Sequence, residues 1–146
     1  MKDIYEKIEG GFYDEAVSSP NPLSQAYHRH RYAKVREYLG IARGMAAGSR
    51  DWALTKISIL DVGCGSCAWN TEKLQVTGLD ISENLMKQGL DEGRIKKAVC
   101  GDLDGKLPFA DSSFDAVVMT EVLEHMETPG EKLKEESAAH RGRMID

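Results

Sequence analysis

The feature that most constrains this fold is an apolar run that ends in a glycine turn and is followed by a second run that ends in an acid. Residues 56–60 read KISIL and continue as DVGCG at 61–65. The second run, residues 75–79, is followed by Asp80. Short apolar runs bounded by turn residues are typical of buried strands, so this pattern predicts a strand, a glycine turn, a short helix and a second strand.

Strands and helices continue to alternate along the rest of the chain. Apolar side chains recur at helical spacing within residues 27–39, Ser82 can cap a helix, and TPGE at 128–131 has the form of a capping box. Such alternation predicts an α/β fold: a Rossmann-like, doubly wound and mostly parallel sheet of about five strands. The further predicted elements are helices at 27–39, 82–90 and 129–139, and strands at 95–100, 116–119 and 143–145.

Composition indicates an ordinary globular chain. Its 146 residues are enough for one compact unit, with 41% hydrophobic and 29% charged residues. Residues 1–56 carry nine basic and seven acidic side chains and residues 57–146 carry ten and seventeen, so general binding to nucleic acid or an anionic membrane is disfavoured. The charged N-terminus has no signal-peptide core, which favours a cytoplasmic location and reduced cysteines.

The glycine turn and the acid after the second strand together indicate a cofactor site. Gly63 and Gly65 let the backbone approach a ligand closely. Asp80 follows Asp61 by about 20 residues, the spacing at which a carboxylate can accept hydrogen bonds from ribose hydroxyls. An adenosine-containing cofactor is therefore expected at this turn.

Three stretches occur in an order and at intervals that resemble class I S-adenosylmethionine-dependent methyltransferases. They are ILDVGCGSC at 59–67, VTGLDIS at 76–82 and GDLDGKLPFADSSFDAVVMTEVLEH at 101–125. The resemblance covers roughly residues 57–146. It implies S-adenosylmethionine as the cofactor and methyl transfer to an unidentified, small-molecule acceptor.

The resemblance also implies roles for individual residues. Gly63 and Gly65 would line the methionine and ribose portion, and Asp61 would hold the loop and contact the methionine end. Ile81 and Leu103 would pack against the adenine. The remaining implied contacts are Asp80 to the ribose hydroxyls, Asp102 to the adenine amino group, and Thr120 and Glu121 at the mouth of the pocket.

Each of these residues also has a purely structural interpretation. Asp80 can simply begin a helix, Asp102 can be a turn residue, and Ile81 and Leu103 can be core. Where an acceptor must lose a proton, Glu121, Glu124 or His125 could act as the base, although a histidine at the start of a helix is often structural.

The sequence departs from the family pattern at the loop and near its end. Cys67 stands where the family's third glycine is usual, and the segment before VTGLD is about four residues short, so a stubby first helix is expected. The sheet is expected to lack the family's final antiparallel strand pair. Its open edge could then pair in a homodimer, and a degenerate domain that serves as a partner module without catalysis is the main alternative.

The remaining alternatives concern the loop itself. Cys64 and Cys67 form a CxxC sequence, which suits a thioredoxin-like redox site, and the GxG turn with Asp80 also suits a nicotinamide cofactor. A zinc site is disfavoured because a second close pair of ligands is absent, so no metal is predicted. Residues 1–55 are expected to form a helical arm or lid, with arginines such as Arg29 and Arg31, over a cofactor-binding domain at 56–146.

Overall fold

The computed structural model describes residues 19–40, 56–103, 106–126 and 128–145. Residues 1–18 and 41–55 of the predicted arm lie outside these described residues. The elements in chain order are α1 (Pro22–Tyr38), β1 (Ser58–Val62), β2 (Gln75–Asp80), α2 (Glu83–Asp91), β3 (Lys97–Cys100), β4 (Phe114–Met119), a short 3-10 helix (Leu123–His125), α3 (Pro129–Ala139) and β5 (His140–Ile145).

A parallel sheet of five strands forms the centre of the molecule. Its spatial order is β3-β2-β1-β4-β5, and every neighbouring pair is parallel. In the central strand Ile59 lies beside Val76 of β2 and Ala116 of β4. The predicted α/β, Rossmann-like fold and its strand number are confirmed, and the described sheet holds no antiparallel strand.

The strands are apolar on both faces because both faces are covered. Successive side chains of a strand point to opposite sides, so Ile59 and Leu60 belong to different clusters. On one face the strand side chains pack against Val35 of α1, Met86 of α2 and the segment after β1. On the other face they pack against residues of the segments at 103–109 and 122–126.

The helix starts follow the capping signals in the sequence. Asn21 caps α1 by accepting a hydrogen bond from Leu23 N–H at 3.0 Å, and Pro22 occupies the first turn. Ser82 caps α2 through Leu85 N–H at 3.4 Å. At α3 the N–H of Glu131 donates to the carbonyl of Thr128. The starts of α2 and α3 agree with the predicted ones. The predicted start of the first helix at residue 27 is wrong: α1 begins at Pro22, because Asn21 caps an additional N-terminal stretch that the spacing of apolar residues did not reveal.

The prediction of a short helix between β1 and β2 is wrong. Residues 63–74 form consecutive tight turns instead, and Cys67 and Lys73 have left-handed φ angles of 52° and 59°, which a right-handed helix cannot include. The fully buried side chain of Asn70 holds the segment by bonding the N–H and carbonyl of Leu74 and the carbonyl of Arg94. A short segment anchored in this way leaves no room for a regular helix.

Helix α1 packs against the sheet domain by a few specific contacts. Val35 is its only buried side chain, and Tyr32 and Leu39 are partly buried beside it. Two ion pairs add to this contact, from Arg31 to Glu121 and from Arg36 to Glu72. No helix in the described ranges is long and apolar enough to cross a membrane. The division into an arm and a domain stays a prediction, as does pairing through an outer strand.

Gly89 tests how closely α2 packs against the turn segment after β1. A Cβ added at Gly89 would lie 2.6 Å from Ile95 Cδ1 and 2.9 Å from the backbone oxygen of Ser66. We expect Gly89→Ala to lower the free energy of unfolding by about 1–3 kcal/mol, because overpacking outweighs the helix propensity of alanine. Urea denaturation followed by circular dichroism measures this change.

The matched control is Gly130→Ala in α3, where an added Cβ would meet nothing within 4 Å. This variant should be neutral or stabilised by up to about 1 kcal/mol. Equal effects of the two substitutions would contradict the close packing of α2.

Candidate functional site

The residues predicted to form a site converge at one edge of the sheet. In a parallel sheet all strands end at the same edge, and here four of them end beside candidate residues. The strand order reverses between β1 and β4, which is where open α/β sheets form a binding crevice. The residues brought to this edge are Asp61, Gly63 and Gly65 at β1, Asp80 and Ile81 at β2, Asp102 and Leu103 after β3, and Thr120 and Glu121 after β4.

The carboxylate of Asp80 joins the end of β2 to the glycine loop. Its Oδ2 accepts from Gly65 N–H at 2.7 Å and its Oδ1 accepts from Ser82 N–H at 2.8 Å. Burial raises the pKa of Asp80, and its hydrogen bonds from backbone N–H groups oppose that rise. A carboxylate has about four acceptor positions, so the group retains capacity for a further donor. A ribose hydroxyl matches that capacity.

The backbone N–H groups of the glycine loop already have acceptors. Those of Gly63 and Cys64 donate to the carbonyl of Leu79 at 2.8 and 3.3 Å, and that of Gly65 donates to Asp80. The turns at residues 66–74 provide no helix N-terminus. Binding of a pyrophosphate needs free N–H groups at such a terminus, so this loop is poorly suited to a nicotinamide dinucleotide.

Gly63 is required by packing within the protein. Its φ of 70° is left-handed, and an added Cβ would lie 2.3 Å from Cγ2 of Val122. A side chain at this position would therefore push the segment after β4 away from β1. Gly65 is also left-handed, with φ of 50°, and is buried. The two glycines thus allow the ends of β1, β2 and β4 to approach one another.

Asp61 is a buried acid at the end of β1. Only 2% of the residue is exposed, and its Oδ2 accepts from Trp69 Nε1 at 2.8 Å and from Cys67 Sγ at 3.3 Å. Burial raises the pKa of Asp61 to about 7, although these two donors oppose the rise. In this arrangement the carboxylate holds the turn segment in place, and its contact with a ligand stays a prediction.

Trp69 helps to hold Asp61 and the turn segment, although it was not among the residues predicted from the sequence. It is buried and supplies the shorter hydrogen bond to Asp61. An aromatic residue in a segment expected to be a helix carries no signal that its indole N–H will meet an acid at the end of the preceding strand. Only the turn geometry brings the two together.

The two cysteines of the loop are buried free thiols. Burial raises the pKa values of Cys64 and Cys67 well above the ordinary value, and the nearby charge of Asp61 raises them further. A redox-active cysteine needs an accessible thiolate with a lowered pKa, typically at a helix N-terminus. The loop has neither property, so the thioredoxin-like alternative loses its support.

The other predicted cofactor contacts lie around this edge with different exposures. Ile81 is half-buried beside Asp80. Leu103 is half-buried against the apolar cluster that contains Leu60, on one face of the sheet. Asp102 is exposed, and Thr120 is half-buried at the end of β4. Their contacts with a cofactor stay predictions.

The candidate bases lie after β4. Glu121 has a left-handed φ of 57°, and its Oε2 lies 3.0 Å from Nη1 of Arg31 on α1. His125 is exposed at the end of the 3-10 helix, where its N–H donates to the carbonyl of Val122 at 2.9 Å. Glu121 borders a pocket of about 520 Å³ between α1 and the end of β4, whereas His125 is outside its lining.

Comparison with known proteins adds to this geometry. A family described as a methyltransferase domain matches residues 60–139. The chain is 32% identical over 107 residues to a demethylmenaquinone methyltransferase of Staphylococcus aureus, covering 68% of this chain and 40% of that protein. It is 33% identical over 81 residues to the O-methyltransferase resE of Aspergillus sclerotiorum, covering 47% of this chain and 30% of that protein.

A solved structure is similar over almost the whole chain. The magnesium protoporphyrin IX methyltransferase of Synechocystis, solved with bound SAH, superposes with a TM-score of 0.69 at 17% identity, covering 98% of this chain and 68% of that one. The chain spans well under half the length of the two curated relatives, and at this identity the structural similarity concerns the fold.

The buried carboxyl of Asp61 should make stability depend on pH. Because its pKa rises from 3.8 to about 7 on folding, the native state keeps a proton that the unfolded chain releases. The associated stabilisation is complete below the unfolded-state pKa and is lost as pH rises through about 7. Relative to Asp61→Asn, the unfolding free energy of the wild type should fall by about 2–3 kcal/mol between about pH 5 and pH 8.

Urea denaturation of both proteins at several pH values measures this difference. The asparagine of the variant would retain a carbonyl acceptor for Trp69, so the substitution mainly removes the titration. A difference that stays constant with pH would show that Asp61 titrates normally in the native state.

Proposed function

The chain belongs to the methyltransferase-domain family, as its resemblance to class I S-adenosylmethionine-dependent enzymes predicted, and on that premise we propose that it binds S-adenosylmethionine and transfers its methyl group to a small-molecule acceptor. The observation that carries the proposal is the pair of hydrogen bonds at Asp80. They hold a carboxylate with spare acceptor capacity beside a glycine loop that has no phosphate-binding helix. That arrangement favours a nucleoside without a phosphate.

The proposed cofactor contacts follow the sheet edge. Asp80 accepts hydrogen bonds from the ribose hydroxyls, and the glycine loop lies against the ribose and methionine portion. Ile81 and Leu103 offer apolar surface to the adenine, and Asp102 accepts from its amino group. Asp61 acts mainly through the loop that it holds by Trp69 and Cys67.

S-adenosylmethionine supplies a methyl group activated by a sulfonium, so little covalent chemistry is left to the protein. The chain contributes orientation and exclusion of water, through the sheet edge on one side and α1 on the other. Thr120 lines the pocket at the junction of these two parts. An acceptor that must lose a proton needs a base, and Glu121 is the better placed candidate because it borders the pocket.

The acceptor is proposed as a small molecule because the pocket beside Thr120 lies between α1 and the end of β4. Its volume of about 520 Å³ is in the range of pockets that hold metabolites. The names of the relatives given above refer to molecules as different as a demethylmenaquinone and magnesium protoporphyrin IX. These names therefore agree with methyl transfer as the reaction, and the identity of the acceptor is left to experiment.

A degenerate domain without catalysis is the second candidate function. It is favoured by the buried state of Asp61 and by the internal bonding of the loop N–H groups, both of which stabilise the loop without a ligand. Cofactor binding discriminates between the two functions.

Calorimetric titration of the full chain with S-adenosylmethionine and S-adenosylhomocysteine tests the proposal. We expect both ligands to bind, and Asp80→Asn to weaken binding by about 10- to 100-fold, because hydrogen bonds to a charged acceptor are lost. Asp91→Asn is the matched control, since Asp91 lies exposed on α2 and pairs with Lys87. Its affinity should equal that of the wild type.

Absence of heat with both ligands would contradict cofactor binding and support the degenerate domain. Equal affinities of the wild type and Asp80→Asn would contradict the role of Asp80. Thermal unfolding of each variant verifies that any loss of binding comes from a folded protein.

A further inference from the structure

The pocket between α1 and the end of β4 has two chemically different walls. The β4 wall is mainly apolar and includes Met119, Val122 and Leu123. The α1 wall combines tyrosines with basic side chains and includes Tyr27, Arg31, Lys34 and Tyr38, with His30 beside them. A ligand that fills this pocket must therefore be apolar on one side and compatible with cations on the other.

The tyrosines of the α1 wall offer partly exposed ring surface, although the ring of Tyr27 also contacts the ring of His28. Tyr27 and Tyr38 are 52% and 63% exposed, although large hydrophobic side chains usually lie inside. Both border the pocket. Exposed aromatic side chains around a concave site commonly receive flat apolar ligands, since stacking buries both surfaces.

Charge in the pocket is carried by Arg31, Lys34 and Glu121. Arg31 and Glu121 pair at 3.0 Å, so their charges balance. Lys34 pairs with Glu37 at 2.8 Å, but both side chains are about half exposed, and exposed ion pairs of this kind contribute little. Lys34 can thus turn toward a ligand at small cost. Among the lining residues Arg31 and Lys34 are positive and Glu121 is negative, and Glu37, outside the lining, balances Lys34 only while that ion pair holds.

Arg31 also has a donor that needs an acceptor. Its side chain is 14% exposed, and its Nη1 and Nη2 contact Glu121 and the hydroxyl of Tyr32. Its buried Nε meets no hydrogen-bond partner among the described residues. A buried donor without an acceptor is unfavourable, so an anionic oxygen that reached Arg31 would be bound more tightly than by an exposed arginine.

We propose that this pocket binds the methyl acceptor and selects a flat, apolar acceptor that carries a carboxylate or similar anionic oxygen group, received by Arg31 and Lys34. The proposal rests on the proposed function. The apolar body of the acceptor lies against Met119, Val122 and the tyrosines. The anionic group competes with Glu121 for Arg31.

Three aromatic probes of similar size but different charge test the selectivity. Naphthoate, naphthamide and naphthylmethylammonium are titrated into the full chain with and without S-adenosylhomocysteine. We expect the affinity for naphthoate to exceed that for naphthamide by at least about tenfold, and the cation to bind most weakly. Equal affinities for the anionic and neutral probes would overturn the proposal.

Two variants on α1 locate the source of the selectivity. Lys34→Gln should weaken the preference for naphthoate severalfold while leaving naphthamide binding unchanged, and Arg31 should account for the preference that remains. Arg29→Gln, on an exposed position of the same helix outside the pocket lining, should change neither affinity. An unchanged preference in Lys34→Gln would contradict the assignment of Lys34.

Glu121→Gln separates ligand competition from a structural role. Removing the competing carboxylate should tighten naphthoate binding by severalfold and leave naphthamide binding unchanged. If Glu121 only stabilised the position of α1, the variant would weaken the binding of both probes, and competition with the ligand would be refuted.

The probe titrations can be interpreted independently of the titration with S-adenosylmethionine. Binding of S-adenosylmethionine without selective binding of naphthoate would overturn the acceptor class and leave the proposed function intact. Selective binding of naphthoate without cofactor binding would leave an anion-selective pocket and overturn methyl transfer.

Discussion

The parallel pairing of β1 with both β2 and β4 is the constraint on which the rest of this structure depends. A central strand hydrogen-bonded on both sides fixes the relative height of its neighbours, so the residues after all three strands meet at one edge. The glycine turn can then be joined to the end of β2 by the bonds from Gly63 to Leu79 and from Gly65 to Asp80. Without that pairing the candidate residues would not lie together at one edge of the sheet.

Most of the fold could be predicted because its signals are local. The apolar strands are short and continuous, as strands covered on both faces must be, and the start of α2 carries the predicted capping residue Ser82. The position of Asp80 could also be predicted, since the end of a strand after a glycine turn has a defined place in a parallel sheet. Its bonds to Gly65 and Ser82 depend only on neighbouring backbone.

The segment after β1 could not be predicted because its conformation is decided by side-chain hydrogen bonds to the end of β1 and to the segment after α2, which no local pattern indicates. Asn70 bonds the carbonyl of Arg94, and Trp69 reaches the buried carboxyl of Asp61. These bonds satisfy polar groups inside the protein, where an unmade hydrogen bond is expensive, so they override the tendency to form a short helix. The approach of Arg31 to Glu121 is of the same kind, since it joins α1 to the turn after β4.

The two sides of the candidate site are held with very different strength. The sheet edge is fixed by backbone hydrogen bonds and by side chains such as Val62 and Leu79 that are almost completely buried. Helix α1 has one buried side chain, Val35, and ion pairs whose partners are partly exposed. Few buried contacts therefore hold α1, so α1 can shift at a lower cost than the sheet edge. In the proposed function the rigid edge binds the constant cofactor, and the weakly held helix adapts to the acceptor. Changes in acceptor preference should therefore arise first on α1, where substitution disturbs the core least.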